Sequence, residues 1–247
     1  MKVRSIPDLR RRDVLKAAGA AAALGILTLG GPFAFAQNRK MKIGIIGSGN
    51  VGSALGRSWA KAGYEVMFSS RNLESDKKLA AEVGTNARAG TPQEAAAFGE
   101  VLLFAVPYSA LPELGKTLAS SIKGKVLIDA CNPFPGRDGE IANQARAKGA
   151  GVFSAELLPG ARIVRAFNAV GAARMGAAHQ EPGRIGMPIA GDDKQAIETA
   201  SRVIRDVGYE PVLVGGLDMG KYLMPGTPLA GERSPDEVRK VAATLKP

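Results

Sequence analysis

The sequence predicts an α/β fold, in which helices cover both faces of a doubly wound, mostly parallel sheet with a short C-terminal extension. Two observations predict it. Short apolar runs alternate with helical patterns along most of the chain, which is the signature of βαβ units. The first run, Met41–Ile46, enters a glycine-spaced turn, Gly47-Ser48-Gly49-Asn50-Val51-Gly52. A helical pattern (Val51, Leu55, Trp59) and a second apolar run, Glu65–Ser69, follow it.

Strand, G-x-G-x-x-G turn, helix and strand in that order is the context of the Rossmann-type dinucleotide fingerprint. Gly47 permits the tight turn, Gly49 lets the backbone approach a pyrophosphate, and Gly52 lets the helix pack on the strand. The phosphates would sit on the N–H groups and positive dipole end of the helix that opens near Asn50. The bland alternative is a glycine turn that serves structure alone. After the second strand, Ser69-Ser70-Arg71-Asn72 offers no carboxylate before Glu74. An NAD site usually carries an acid there for the ribose 2′-hydroxyl. Arg71 can instead pair with a 2′-phosphate, with the Ser70 hydroxyl as a further donor and Lys77 or Lys78 close by. The expected nucleotide is therefore NADP. The competing reading makes Arg71 a solvated surface charge.

Further strands are expected at Val101–Ala105, Lys125–Ala130, Arg162–Ala166, Ile185–Ala190 and Glu210–Val214. Thr91-Pro92-Gln93-Glu94 and Ser234-Pro235-Asp236-Glu237 each combine a capping box with proline at the first helical position. Asp192 or Asp193 can cap the helix through Ile197, Ala200 and Val203. Open α/β sheets bind ligands outside the carboxyl ends of their strands. Those ends read Val106-Pro107-Tyr108-Ser109, Cys131-Asn132-Pro133-Phe134 and Phe167-Asn168-Ala169-Val170, residues suited to lining a flat slot. Asn132 and Asn168 can hydrogen-bond a nicotinamide carboxamide or ribose, or can equally be turn residues bonding their own backbone. Cys131 reads as a buried small hydrophobe, and His179 as a surface loop residue.

The first 36 residues read as a targeting segment. Its basic start holds Arg11-Arg12-Asp13-Val14-Leu15-Lys16, a twin-arginine pattern, and its alanine-rich run closes on Ala34-Phe35-Ala36, an A-x-A cleavage site. Export to the periplasm by the twin-arginine machinery is expected, leaving residues 37–247 as one NAD(P)-binding Rossmann oxidoreductase domain. The alternatives are an uncleaved anchor and a cytoplasmic protein. Gly30, Gly31 and Pro32 interrupt the apolar run, which argues against a stable membrane span. The chain carries 33 basic and 23 acidic residues. The excess is too diffuse for nucleic acid and suits an anionic ligand. With one cysteine, Cys131, and one histidine, His179, no internal disulfide or Cys/His metal cluster is expected.

The inventory of acids and bases is sparse. None of Tyr64, Tyr108, Tyr209 and Tyr222 precedes a lysine by four residues, so a Tyr/Lys acid–base pair is missing. No histidine stands at a strand end to carry a proton. Hydride transfer between two redox cofactors needs positioning and no side-chain acid or base, and no catalytic side chain is singled out. Two other readings stay open: a non-catalytic NADP-binding or sensor protein, and a carbonyl or imine reductase acting as a homodimer with shared helices.

Together these segments resemble the NADPH-dependent reductases of coenzyme F420, the deazaflavin. The resemblance is carried by the GSGNVG turn, Ser70-Arg71, Ala105-Val106-Pro107-Tyr108, Asp129-Ala130-Cys131-Asn132-Pro133 and Leu158-Pro159-Gly160-Ala161. It continues through Arg165-Ala166-Phe167-Asn168, Pro188-Ile189-Ala190-Gly191-Asp192-Asp193 and Gly215-Gly216-Leu217-Asp218. It implies that Ser70 and Arg71 hold the 2′-phosphate and that Val106, Pro107 and Asn168 border the nicotinamide. It also implies a small-molecule acceptor, F420 or a flavin.

Overall fold

Four consecutive apolar residues in β1, Ile43–Ile46, are buried at every position, as expected of a parallel strand covered on both faces. The computed structural model describes residues 40–176 and 180–247. The segment expected to be a targeting sequence, residues 1–36, and His179 lie outside the described residues. The other strands are β2 (Val66–Ser69), β3 (Ala87–Ala89), β4 (Val101–Phe104), β5 (Val126–Asp129), β6 (Arg162–Arg165), β7 (Ile185–Gly191) and β8 (Tyr209–Gly215). Their spatial order is β3-β2-β1-β4-β5-β6-β7-β8. The first six run parallel, β7 is antiparallel to β6, and β8 is parallel to β7. The chain direction thus switches between β1 and β4, where ligands bind in doubly wound sheets.

The helices are α1 (Asn50–Lys61), α2 (Leu73–Val83), α3 (Pro92–Phe98), α4 (Leu111–Thr117), α5 (Ala119–Ile122) and α6 (Pro135–Asp138), followed by α7 (Glu140–Lys148), α8 (Ala150–Leu157), α9 (Ala172–Met175), α10 (Lys194–Arg205) and α11 (Pro235–Ala242). Both expected capping boxes are present, at Thr91 and Ser234. Asp193, not Asp192, caps α10 by accepting from Ala196 N at 2.9 Å. Asp192 accepts instead from Leu217 N at 3.0 Å.

Two cores lie on opposite faces of the sheet. One joins Leu55 and Trp59 of α1 to Val203 and Ile204 of α10 across Ile43, Ile45 and Phe68. There the Trp59 indole N–H donates to Val203 O at 2.8 Å. The other joins Ala95 and Ala96 of α3 to Leu111, Ala145 and Phe153 across Leu102, Phe104 and Leu127. The C-terminal extension packs Met219, Leu223, Leu229 and Val238 against Ala190 and Val212.

All seven strands expected from sequence form. The eighth, β3, has no apolar run to announce it: Ala87-Arg88-Ala89 is partly exposed and borrows its pairing from β2 at the sheet edge.

Candidate functional site

Parallel register brings the strand ends together. Ile46 stands opposite both Ser69 and Phe104, and Asp129 pairs with Phe104 on one side and Arg165 on the other. The segments that follow β1, β2, β4, β5 and β6 therefore emerge side by side.

The glycine turn is tied to the end of β2, since Gly47 N and Ser48 N both donate to Ser69 O, at 2.9 and 3.1 Å. Gly47 has φ of 103°, and a Cβ there would stand 2.4 Å from Ala105 O and 2.8 Å from Val106 Cγ1. Only glycine fits so close to the β4 exit. A Cβ on Gly52 would stand 1.9 Å from Gly47 O, whereas one on Gly49 would meet nothing within 4 Å. That is the shape of a cradle: α1 is packed hard on the turn, and free space lies over its middle glycine. No side chain caps α1 and no acid lies in its first turn, so its positive end faces that space. Gly49 and Asn50 are exposed there, with Val51 half-buried beside them.

Beyond β2, Arg71 is exposed, and among the described residues no ion pair engages it. Lys77 is paired with Glu74 at 2.8 Å. Ser70 is half-buried, and its hydroxyl donates to Asp76 Oδ2 at 2.8 Å. The other oxygen of Asp76 accepts from the Ser48 hydroxyl. Asp76 is 1% exposed. Sequence spacing missed this carboxylate because it arrives from the first turn of α2 and not from the strand end.

At the other strand ends, Val106 is half-buried and Pro107 exposed. Tyr108 is buried, its hydroxyl donating to Ala150 O at 2.9 Å and meeting Ser154 Oγ at 3.0 Å. Burial pushes its ionisation well above the usual tyrosine range. The Cys131 thiol faces Phe104 O at 3.4 Å, and burial first, then Asp129, push it up; it stays protonated and unreactive at neutral pH. Asn132 Nδ2 donates to Asn168 O at 2.9 Å, and Asn168 Nδ2 reaches Cys131 O at 3.4 Å. Both carboxamide oxygens, Asn132 Oδ1 and Asn168 Oδ1, are buried without a partner, which is uncommon for such groups. Phe167, which precedes Asn168, is a non-glycine residue at φ of 66°. Such a conformation costs about 1–3 kcal/mol and persists only where surroundings enforce it. Here Trp59 and Tyr209 hold the Phe167 ring edge-on, at centroid distances of 6.1 and 5.8 Å.

Beneath these residues lies a buried ion pair, Arg165 Nη1 to Asp129 Oδ2 at 2.6 Å, with both side chains 0% exposed. Asp129 Oδ1 also accepts from Cys131 N at 2.8 Å, and Arg165 Nη2 donates to Cys131 O at 3.2 Å. The pair therefore fixes the exit of β5 on both sides of Cys131. Asp138 links the exits of β4 and β5 by accepting from Ser109 N at 3.2 Å and Phe134 N at 3.0 Å. Burial would raise its pKa, but Arg137 and the two backbone N–H groups outweigh that and hold it low.

A doubly wound sheet with a glycine cradle at its switch point, and an arginine in place of an acid after the second strand, defines the class of Rossmann-type NADP-dependent oxidoreductases. Residues 42–133 match the family described as NADP oxidoreductase, coenzyme F420-dependent. The chain is 29% identical over 205 residues to the F420-dependent NADP reductase of Methanothermobacter thermautotrophicus, covering 76% of this chain and 87% of that protein. It is 31% identical over 179 residues to the metalloreductase STEAP3 of Rattus norvegicus. That match covers 71% of this chain and 34% of the rat protein, so the chain spans about a third of that relative's length. The crystal structure of a hypothetical protein from Sinorhizobium meliloti superposes with a TM-score of 0.69 at 25% identity, covering 81% of this chain and 98% of that one. Among the described residues, no helix is long and apolar enough to cross a membrane.

Proposed function

We propose that the protein passes hydride between NADP and a flat redox acceptor, a deazaflavin such as F420 or a flavin, at the carboxyl ends of β1, β4, β5 and β6. The observation that supports the nucleotide most is the cradle itself. Open space lies over Gly49, at the uncapped start of α1, beside an Arg71 that no acid engages among the described residues. In this reading the turn of Gly47, Ser48, Gly49, Asn50, Val51 and Gly52 cradles the pyrophosphate, with the N–H groups at the start of α1 facing it while those of Gly47 and Ser48 stay on Ser69 O. Arg71, with Ser70 beside it, faces the 2′-phosphate. Val106 and Pro107 border the nicotinamide, and the orphaned oxygens of Asn132 and Asn168 suit the N–H donors of its carboxamide. When bound, the nicotinamide supplies the hydride chemistry. The chain's contribution is to hold the ring, exclude water and leave one face open.

The strand-end side chains favour a cofactor-like acceptor over a carbonyl or imine. Tyr108 is buried and bonded, Cys131 is buried, and Asp129 and Asp138 are committed to Arg165 and Arg137. No proton donor is presented to the open space by these groups. The family and one relative, the F420-dependent NADP reductase, agree with a deazaflavin acceptor. The test is to mix purified protein and NADPH with F420, FMN or FAD in stopped flow and follow loss of the reduced nicotinamide. Oxidation by one of them at catalytic rates is expected. Binding of NADPH with no turnover by any of them would favour the non-catalytic sensor reading.

The leader carries a second proposal. Arg11-Arg12 and the A-x-A site suit export through the twin-arginine machinery, a route for folded proteins, so that NADP would be loaded in the cytoplasm and retained in the periplasm. Stoichiometric NADP released on denaturing protein from a periplasmic fraction supports this, and protein confined to the cytoplasm rules it out.

A further inference from the structure

The buried carboxylate of Asp76 stands where a sequence reading finds no acid. Its two oxygens take the hydroxyl protons of Ser48, in the glycine turn, and Ser70, at 2.8 Å, beside Arg71. It is 1% exposed, and no lysine or arginine pairs with it among the described residues. Ser70 Oγ also accepts from Asn72 N at 3.1 Å. A hydroxyl has one proton to give, so each serine that donates to Asp76 has none left for a phosphate oxygen. Ser48 lies in the glycine turn and Ser70 precedes Arg71 in the chain, so a 2′-phosphate held by Arg71 would meet lone pairs and not protons on these hydroxyls. A like charge held within about 4–6 Å of an anion disfavours that anion.

We propose that Asp76 sets the nucleotide preference of this site: it withholds two hydroxyl protons from the 2′-phosphate and opposes its charge, leaving Arg71 and the backbone as the phosphate's ligands. The inference rests on the NADP reading of the glycine turn. The preference for NADPH over NADH is accordingly smaller than a serine–serine–arginine site would give on its own. The chemistry resembles that of an NAD site, where an acid at the end of β2 discourages the phosphate; here the acid works from behind two serines.

The test is Asp76→Asn, with NADPH and NADH affinities measured by calorimetry on wild type and variant. The carboxamide of the variant accepts from one serine and donates to the other, so one hydroxyl proton is released and the charge is gone. The affinity ratio of NADPH to NADH is expected to rise about tenfold or more, with NADH changed less than about threefold. The two nucleotides differ only in the 2′-phosphate, so mere loosening of the loop would weaken both and leave the ratio alone. An unchanged ratio, or one that falls, overturns the proposal; a fall would mean that Asp76 aims the serines at the phosphate. Should Asp76→Asn fail to fold, Asp76→Ser, smaller and uncharged, carries the same expectation. Wild type that binds neither nucleotide would defeat the NADP reading itself, a different result from binding with an unmoved ratio.

Discussion

Asp129→Asn removes one charge from the buried pair beneath the strand ends and leaves its shape. Arg165 keeps Nη2 to Cys131 O at 3.2 Å but loses its counter-charge, and the single carboxamide oxygen can accept from Arg165 Nη1 or from Cys131 N, not from both as the carboxylate does. Its Nε already lacks a partner. Water cannot repair the loss, since both side chains are 0% exposed. The space around the guanidinium is also tight: a Cβ on Gly151 or Gly220 would stand 2.9 or 2.6 Å from Arg165 Cδ. Removing one partner of a buried ion pair costs about 3–5 kcal/mol, roughly two to three and a half orders of magnitude in the folding equilibrium. Urea unfolding followed by tryptophan fluorescence measures it, because Trp59 lies in the sheet core. The double variant Asp129→Leu, Arg165→Met removes both charges and is expected to recover most of the loss. A single variant within about 0.5 kcal/mol of wild type would refute the view that this pair anchors the β5 and β6 exits.

Four further tests concern the ligand site and one surface pair. Arg71→Ala is expected to weaken NADPH by about 1.5–3 kcal/mol and NADH far less, because only NADPH offers a charge to pair; equal losses in calorimetry would defeat the NADP assignment. Gly49→Val is expected to abolish binding of both nucleotides with the urea midpoint preserved, since its side chain enters free space over the turn. Gly52→Ala is expected to lower stability by about 1–3 kcal/mol, as its Cβ would lie 1.9 Å from Gly47 O; a midpoint unchanged from wild type would contradict the packing. Asp193 is held down to about 2 by Arg162 first and then by the Ala196 N–H. A depressed folded pKa contributes stability above the unfolded value, near 3.8, which is lost as pH falls toward about 2. The stability gap between wild type and Asp193→Asn should therefore close over that window and stay constant above it.

The sheet was legible because its strands are short apolar runs buried on both faces and its turn has one function-bearing spacing. The seven apolar strands follow from hydrophobicity alone. Ala87–Ala89 does not, since an edge strand of three partly exposed residues draws its order from the β2 backbone. The cradle glycines were readable for the same reason that they are needed: no other residue tolerates 1.9 or 2.4 Å to a carbonyl oxygen. What the sequence hid is long-range pairing. Asp76 is six residues past Ser70 and 28 past Ser48, so local reading places it on a solvated helix face. Asp129 and Arg165 are 36 residues apart, and only the parallel register of β5 and β6 makes them partners. Phe167 gives no composition signal for its positive φ, which is imposed by the packing of its ring.

At the centre of the proposed function, a glycine cradle with Arg71 beside it holds NADPH so that its hydride reaches a flat acceptor. Anaerobic stopped flow of protein loaded with one equivalent of NADPH against F420, FMN and FAD, following nicotinamide and acceptor absorbance together, tests this without intermediaries. Oxidation of the nicotinamide in step with reduction of one acceptor, slowed in Arg71→Ala at limiting nucleotide, is the expected result. Bound NADPH that persists unchanged in the presence of all three acceptors would contradict it.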